Sequence, residues 1–196
     1  MRHIPNLICL ARIALIWPIV NALQDGNYAL ALALFMTAAV SDGLDGYLAK
    51  RFGWTSNFGK IIDPLADKLL LVTVFITAAW LDLVPWWLTA AAVARDVMIS
   101  LGAVIYRLWF GPLHGRPTIV SKINTLMQLG YLVGVILRAA FGVLPQEVVD
   151  ALAVITFITT VLSGAHYLYT FTRRAWDLPA GPARVATASS GDATRR

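Results

Sequence analysis

Charge is scarce in this chain. Only 14% of its 196 residues are Asp, Glu, Lys or Arg, while 58% are hydrophobic and the mean hydropathy is +0.68. A soluble domain typically carries about 25% charged residues. With so little charge a water-soluble globule would leave much of its surface apolar, which soluble monomers avoid. Cysteine is almost absent too. Cys9 stands alone, which excludes an intramolecular disulfide and any multi-cysteine metal site. His3, His114 and His166 lack metal-ligand spacing. Disordered, collagen-like and disulfide-scaffold classes are excluded by the same composition. What remains is an all-α integral membrane protein. A span needs about 20 residues, so the length holds roughly six spans and little else.

The hydrophobic pattern predicts six transmembrane helices, over Asn6–Leu23, Tyr28–Arg51, Asp63–Leu81, Pro85–Phe110, Ile119–Phe141 and Glu147–Ala175. Turn chemistry separates them: Asp25-Gly26-Asn27, Gly53 through Gly59, Gly111-Pro112 and Leu144-Pro145. The first apolar stretch has no small-x-small cleavage site and is interrupted by Trp17 and Pro18, so it reads as a retained helix. Residues 1–176 form the membrane domain. Residues 177–196, rich in Ala, Gly, Ser, Thr, Pro and Arg, read as a disordered cytoplasmic tail.

Charge placement predicts the orientation. Arg2, then Lys50, Arg51 and Lys60, then Arg107, Arg116 and Lys122, then Arg173 and Arg174 all fall on one side. The opposite turns contain no Lys or Arg, and only Arg138 approaches them. The positive-inside rule puts both termini in the cytoplasm. Trp80, Trp86 and Trp87 flank one outer turn, as an interfacial aromatic belt would. The net charge of +5 suits anionic lipid headgroups better than nucleic acid in so apolar a chain. Gly130 and Gly134 have spacing that permits close helix packing.

Five aspartates interrupt the apolar helices: Asp42, Asp45, Asp63, Asp67 and Asp96. Each costs roughly 2.5–3.5 kcal/mol at a helix centre. Asp42 and Asp45 are spaced i, i+3 on the second helix, and Asp63 and Asp67 i, i+4 on the third, so each pair shares a face. Four carboxylates facing one another repel without cations. Oxygen-only ligands favour hard divalent ions such as Mg²⁺, and two-metal sites serve displacement at phosphorus. The competing readings are pairing with Lys50, Lys60 and Lys68 around a water-filled cavity, or a divalent-cation or proton transport pathway. The almost wholly apolar outer halves, Leu30–Phe35 and Leu70–Ala79, argue against a pathway. Gly43, Gly46 and Gly59 among the aspartates cost helix stability and permit close approach of a ligand. Ala49 continues that small face, which admits a flat nucleotide.

Asp42-x-x-Asp45-Gly46-x-x-Ala49, followed by Gly59-x-x-x-Asp63-x-x-x-Asp67, resembles the signature of the CDP-alcohol phosphatidyltransferases. All the spacings match, and the resemblance runs from Ile4-Pro5-Asn6 to about Arg174. It implies six helices, a homodimer and an active site at the cytoplasmic membrane interface. It also implies transfer of a substituted phosphate from a CDP-linked donor, here CDP-diacylglycerol, to an alcohol with release of CMP. By position, Asp42, Asp45, Asp63 and Asp67 would hold two divalent cations, Mg²⁺ or Mn²⁺. Asp67 would also be the general base, and Gly46, Ala49 and Gly59 would contact the nucleotide. Lys50 stands where the family usually has Arg; it keeps the charge but loses the bidentate fork, and Arg51 follows to share the pyrophosphate contact.

Arg95, Arg116, Lys122 and Asn124 are the candidates for the acceptor pocket. Arg95 and Asp96 are adjacent, and adjacent helical residues point apart, which frees Arg95 for a phosphate. Arg12, within the first helix, is left to pair with either a carboxylate or a phosphate. The Arg95-Asp96-Val97-Met98 run and Pro117-Thr118-x-x-Ser121-Lys122-x-Asn124-Thr125-x-x-Gln128 resemble the eukaryotic-type cardiolipin synthase branch, whose acceptor is phosphatidylglycerol. The glycerophosphate branch, which uses glycerol 3-phosphate, typically has a second lysine where Asn124 stands. One cation fewer suits the monoanionic phosphodiester.

Overall fold

The computed structural model describes the backbone over residues 4–52, 59–110 and 119–176. It describes the side chains over 11–41, 66–102, 119–170 and 172. The described chain is all-helical: α1 Ile4–Gln24, α2 Tyr28–Phe52, α3 Gly59–Trp80, α4 Trp86–Phe110, α5 Ile119–Phe141 and α6 Gln146–Trp176. The expected tail, 177–196, lies outside the described residues.

The turns close as their sequences require. After α1, Gly26 takes φ 72, the Asn27 N–H reaches Ala22 O and the Gly26 N–H reaches Leu23 O. This is a Schellman stop, where glycine avoids the left-handed penalty. Asn27 then accepts from the Leu30 N–H at 3.2 Å and caps α2. At the end of α3 Asp82 makes the same stop at φ 56, with Leu83 N–H on Ala78 O. Beyond α5, Arg138 reaches the Leu144 carbonyl at 2.5 Å and braces the turn into α6.

Only α3 departs much from its expected bounds. It starts at Gly59 rather than Asp63, because Lys60, Ile61 and Ile62 carry no breaker. Gly59 is therefore a helical residue, four positions before Asp63 on the same face as Asp63 and Asp67.

The helices pack in a ring: α1 against α2 and α3, α2 against α5, α5 against α6, α6 against α4, and α4 against α3. Ile19, Leu23, Phe35, Val74, Leu132 and Ile136 are fully or almost fully buried in its core. Across the middle, Phe75 of α3 stacks on Tyr131 of α5 with ring centroids 6.3 Å apart. The outer surface is apolar as well: Leu126, Val154, Ile158, Val161 and Leu162 are exposed. That is the surface a bilayer covers. Among the described residues two helical segments, Ile119–Phe141 and Gln146–Thr170, are long and apolar enough to cross a membrane.

At the α3–α4 turn Trp80 meets Trp86 edge-on at 6.1 Å, and Trp87 meets Phe157 at 5.1 Å. The two glycines of α5 differ. A Cβ on Gly134 would stand 3.2 Å from Leu152 of α6, while Gly130 faces open space. Close packing at Gly134 thus lies inside the chain.

Candidate active site

The last turns of α2 carry Asp42, Asp45, Gly46 and Ala49, spaced i, i+3, i+4, i+7 and so on one stripe. Lys50 and Arg51 follow. The first turns of α3 carry Gly59, Asp63 and Asp67. The end of α2 and the start of α3 are neighbours in sequence, and α1 packs on both helices. For all of these except Asp67, the helix position is described and the side chain lies outside the described residues. Arg116 lies outside them altogether.

Asp67 is the described member of the quartet. Its side chain is about one-third exposed, and Arg12 of α1, only 4% exposed, places Nη1 3.8 Å from Oδ1. Arg12 therefore pairs with a carboxylate, the partner its burial demands. Aspartate offers only oxygen, the donor type that hard divalent cations prefer.

Arg95 corrects the sequence reading. It does pair with its neighbour: Nη1 lies 2.5 Å from Asp96 Oδ1, with both side chains buried. Adjacent Cβ atoms diverge by about 100°, but the long guanidinium arm bends back, because an unpaired buried Asp96 is more costly than the bend. The same guanidinium donates from Nη2 to Ser121 Oγ of α5 at 2.7 Å. Its Nε and Nη2 donate to Ser163 Oγ of α6, at 3.2 and 2.6 Å. Arg95 thus clamps α4, α5 and α6 together.

Lys68 is a second cross-link. Its Nζ donates to Ser100 Oγ of α4 at 2.8 Å and to the Asp96 carbonyl at 3.5 Å. It turns to α4 rather than to Asp67 beside it; Lys50 and Lys60, the other lysines that could neutralise the quartet, have side chains outside the described residues.

Lys122 and Asn124 are not brought together. Two positions apart, they point about 200° from each other; Lys122 is exposed and Asn124 fully buried. Asn124 Oδ1 accepts from Thr159 and Thr160 of α6 at 3.0 and 2.9 Å. Arg95 meets α5 at Ser121 instead.

The hydroxyls of α6 had no place in the sequence reading. Thr156, Thr160 and Ser163 are all buried and share an i, i+4, i+7 stripe. They bond in turn to the Met127 carbonyl, Asn124 and Arg95. Their spacing was the available signal.

The carboxylate register on α2 and α3 places this chain in a known class. It belongs to the CDP-alcohol phosphatidyltransferase family, whose sequence model matches residues 2–165. Among individual relatives, it is 32% identical to the probable cardiolipin synthase (CMP-forming) of Drosophila melanogaster over 182 residues, 84% of this chain and 56% of that protein. It is 29% identical to the cardiolipin synthase (CMP-forming) of Homo sapiens over 85% of this chain and 60% of that protein. It is 36% identical to the CDP-diacylglycerol–glycerol-3-phosphate 3-phosphatidyltransferase of Bacillus subtilis over 51% of this chain and 60% of that protein. The chain thus spans 56–60% of the length of these curated relatives.

Proposed function

We propose that this chain transfers the phosphatidyl group of CDP-diacylglycerol to phosphatidylglycerol, forming cardiolipin and releasing CMP. The observation that carries this reading is the aspartate register on α2 and α3 within a family-matched chain. Similarity to cardiolipin synthases over most of the chain supports it.

In this reading Asp42, Asp45, Asp63 and Asp67 hold two divalent cations, Mg²⁺ or Mn²⁺. Bound there, the cations supply neutralisation of the donor pyrophosphate and of the charge on leaving CMP. Gly46, Ala49 and Gly59 leave room for the cytidine nucleotide, and Lys50 and Arg51 contact its phosphates. Asp67 accepts the proton of the acceptor hydroxyl at a carboxylate oxygen. That hydroxyl oxygen forms the new bond to the phosphatidyl phosphorus as the bond to the CMP oxygen breaks. Arg12 acts through Asp67 as a positioning residue: buried 3.8 Å from that carboxylate, its charge favours the ionised form near the reacting hydroxyl. Holding acceptor and donor together supplies much of the rate, since a carboxylate is a weak base.

All six helices span the membrane in this reading, with both termini, the basic loops and the aspartates at the cytoplasmic face. The membrane is a bacterial or organellar inner membrane, its anionic lipids meet the basic loops, and the active unit is a homodimer. Residues 1–176 form the catalytic domain. Arg116 and Lys122, at the basic face, attract the acceptor's anionic headgroup. Arg95 also belongs to the acceptor site, where it shapes the wall through Ser121 and Ser163.

The second reading is phosphatidylglycerophosphate synthesis from glycerol 3-phosphate. Similarity to the Bacillus subtilis enzyme favours it, while the neutral Asn124 in place of a lysine favours the monoanionic lipid. Purified protein given CDP-diacylglycerol and each acceptor in turn separates them. Cardiolipin with phosphatidylglycerol, and little product with glycerol 3-phosphate, supports the first. Efficient phosphatidylglycerophosphate formation without cardiolipin overturns it.

A further inference from the structure

Two buried amides on α5 have donors that nothing among the described residues satisfies. Asn124 and Gln128 are 0% and 1% exposed, yet Asn124 Nδ2 and Gln128 Nε2 have no hydrogen-bond partner. An unsatisfied donor in an apolar interior is costly. Two of them four residues apart lie on one face. The face is identified by Tyr131: Asn124, Gln128 and Tyr131 follow i, i+4, i+7, and Tyr131 stacks on Phe75 of α3.

Their depth follows from neighbouring contacts. Lys68 of α3 and Ser121 of α5 both meet the Arg95–Ser100 stretch of α4, and farther along Phe75 meets Tyr131. The helices α3 and α5 therefore run in the same direction. Asp67 precedes Phe75 by eight residues and Asn124 precedes Tyr131 by seven. At roughly 1.5 Å per residue these are ~12 and ~10.5 Å, so Asn124 lies level with Asp67 and Gln128 one turn beyond it.

We infer that Asn124 and Gln128 form an uncharged subsite that reads a free hydroxyl of the acceptor headgroup, the one next to the reacting hydroxyl. The pair carries no charge, so a neutral hydroxyl meets it without the cost of burying an unneutralised phosphate among apolar neighbours. A hydroxyl both donates and accepts, so it satisfies a carboxamide in either orientation. Thr159 and Thr160 hold one end of the Asn124 amide and leave the other end for the ligand. This inference rests on the proposed transfer to a polyol lipid and adds what distinguishes one alcohol from another.

The test uses phosphatidylglycerol and its analogue with a propane-1,3-diol headgroup, which keeps the reacting primary hydroxyl and lacks the secondary one. The intact protein should prefer phosphatidylglycerol about tenfold in kcat/KM, because the analogue leaves buried donors unpaired. Gln128→Met and Asn124→Asp should each lower kcat/KM for phosphatidylglycerol and shrink that preference towards onefold. The KM for CDP-diacylglycerol and the thermal midpoint with that donor bound should stay near wild type, which separates the effect from misfolding. A turnover-free arm compares thermal stabilisation by the two lipids without donor. Selective stabilisation with no transfer upholds the subsite and sinks the proposed reaction. Transfer with equal use of both lipids, or variants that keep the wild-type preference, overturns the subsite and leaves the amides to bound water.

Discussion

The Arg12 guanidinium on α1 stands 3.8 Å from the Asp67 carboxylate on α3. The pair joins a helix with no aspartate to the helix that carries the candidate base. Arg12→Gln removes the positive charge beside Asp67. It should lower kcat for CMP release more than it raises KM for CDP-diacylglycerol, and Arg12→Lys should restore part of the loss. Steady-state kinetics of the two variants measure this split. Equal kinetics for Arg12→Gln and wild type would remove Arg12 from the account.

Asp67→Asn should reduce CMP release by about 10²–10⁴-fold, the range a positioned general base supplies. Asp42→Asn, Asp45→Asn and Asp63→Asn should also abolish most turnover, while all four proteins still insert into membranes. Near-normal rates from two of the four would rule out a four-carboxylate metal site.

Chelation should stop CMP release, and Mg²⁺ or Mn²⁺ should restore it, because the donor set is entirely hard oxygen. Turnover measured across an EDTA titration and its reversal checks this. Full activity in excess EDTA would assign the aspartates another task.

Arg95→Ala leaves Asp96 buried without its partner and unties Ser121 and Ser163. Breaking a buried pair from one side costs about 3–5 kcal/mol. The variant should therefore unfold in detergent well below wild type. Adding Asp96→Ala should recover part of the loss, since the double variant buries no lone charge. Thermal unfolding of the single and double variants measures the coupling; additive losses would contradict it.

Gly102 of α4 is in close contact with Tyr167 of α6. A Cβ there would come within 2.5 Å of the phenol oxygen, which donates to the Ile99 carbonyl at 3.3 Å. Gly102→Val should push Tyr167 off that carbonyl and destabilise the α4–α6 contact by about 1–3 kcal/mol. Unfolding midpoints of Gly102→Val and Gly102→Ala should fall in order of side-chain size.

Six helices were legible because apolar runs and turn signals agreed at nearly every boundary. The Asp25-Gly26-Asn27 turn has the stop and cap its residues announce. The start of α3 was less legible, since Gly59 reads equally as turn chemistry and as a close-approach residue inside a helix. Arg95–Asp96 was misread for a different reason. Helical spacing gives the direction of Cβ, not the reach of a long arm looking for a buried counter-charge. Lys122 and Asn124 look like neighbours along the chain and diverge around the helix. The α6 hydroxyl stripe is visible as spacing, but Thr and Ser in an apolar helix gain meaning only when their partners on α4 and α5 are in place.

Phosphatidyl transfer between two lipids leaves its mark in the mass of the product. Purified protein receives CDP-diacylglycerol and phosphatidylglycerol whose acyl chains differ in mass, with Mg²⁺ present. The expected product is a cardiolipin carrying one pair of acyl chains from each substrate, formed in equal amount to CMP and lost in Asp67→Asn. A cardiolipin carrying acyl chains from phosphatidylglycerol alone, or CMP release without any lipid product of mixed mass, would contradict it.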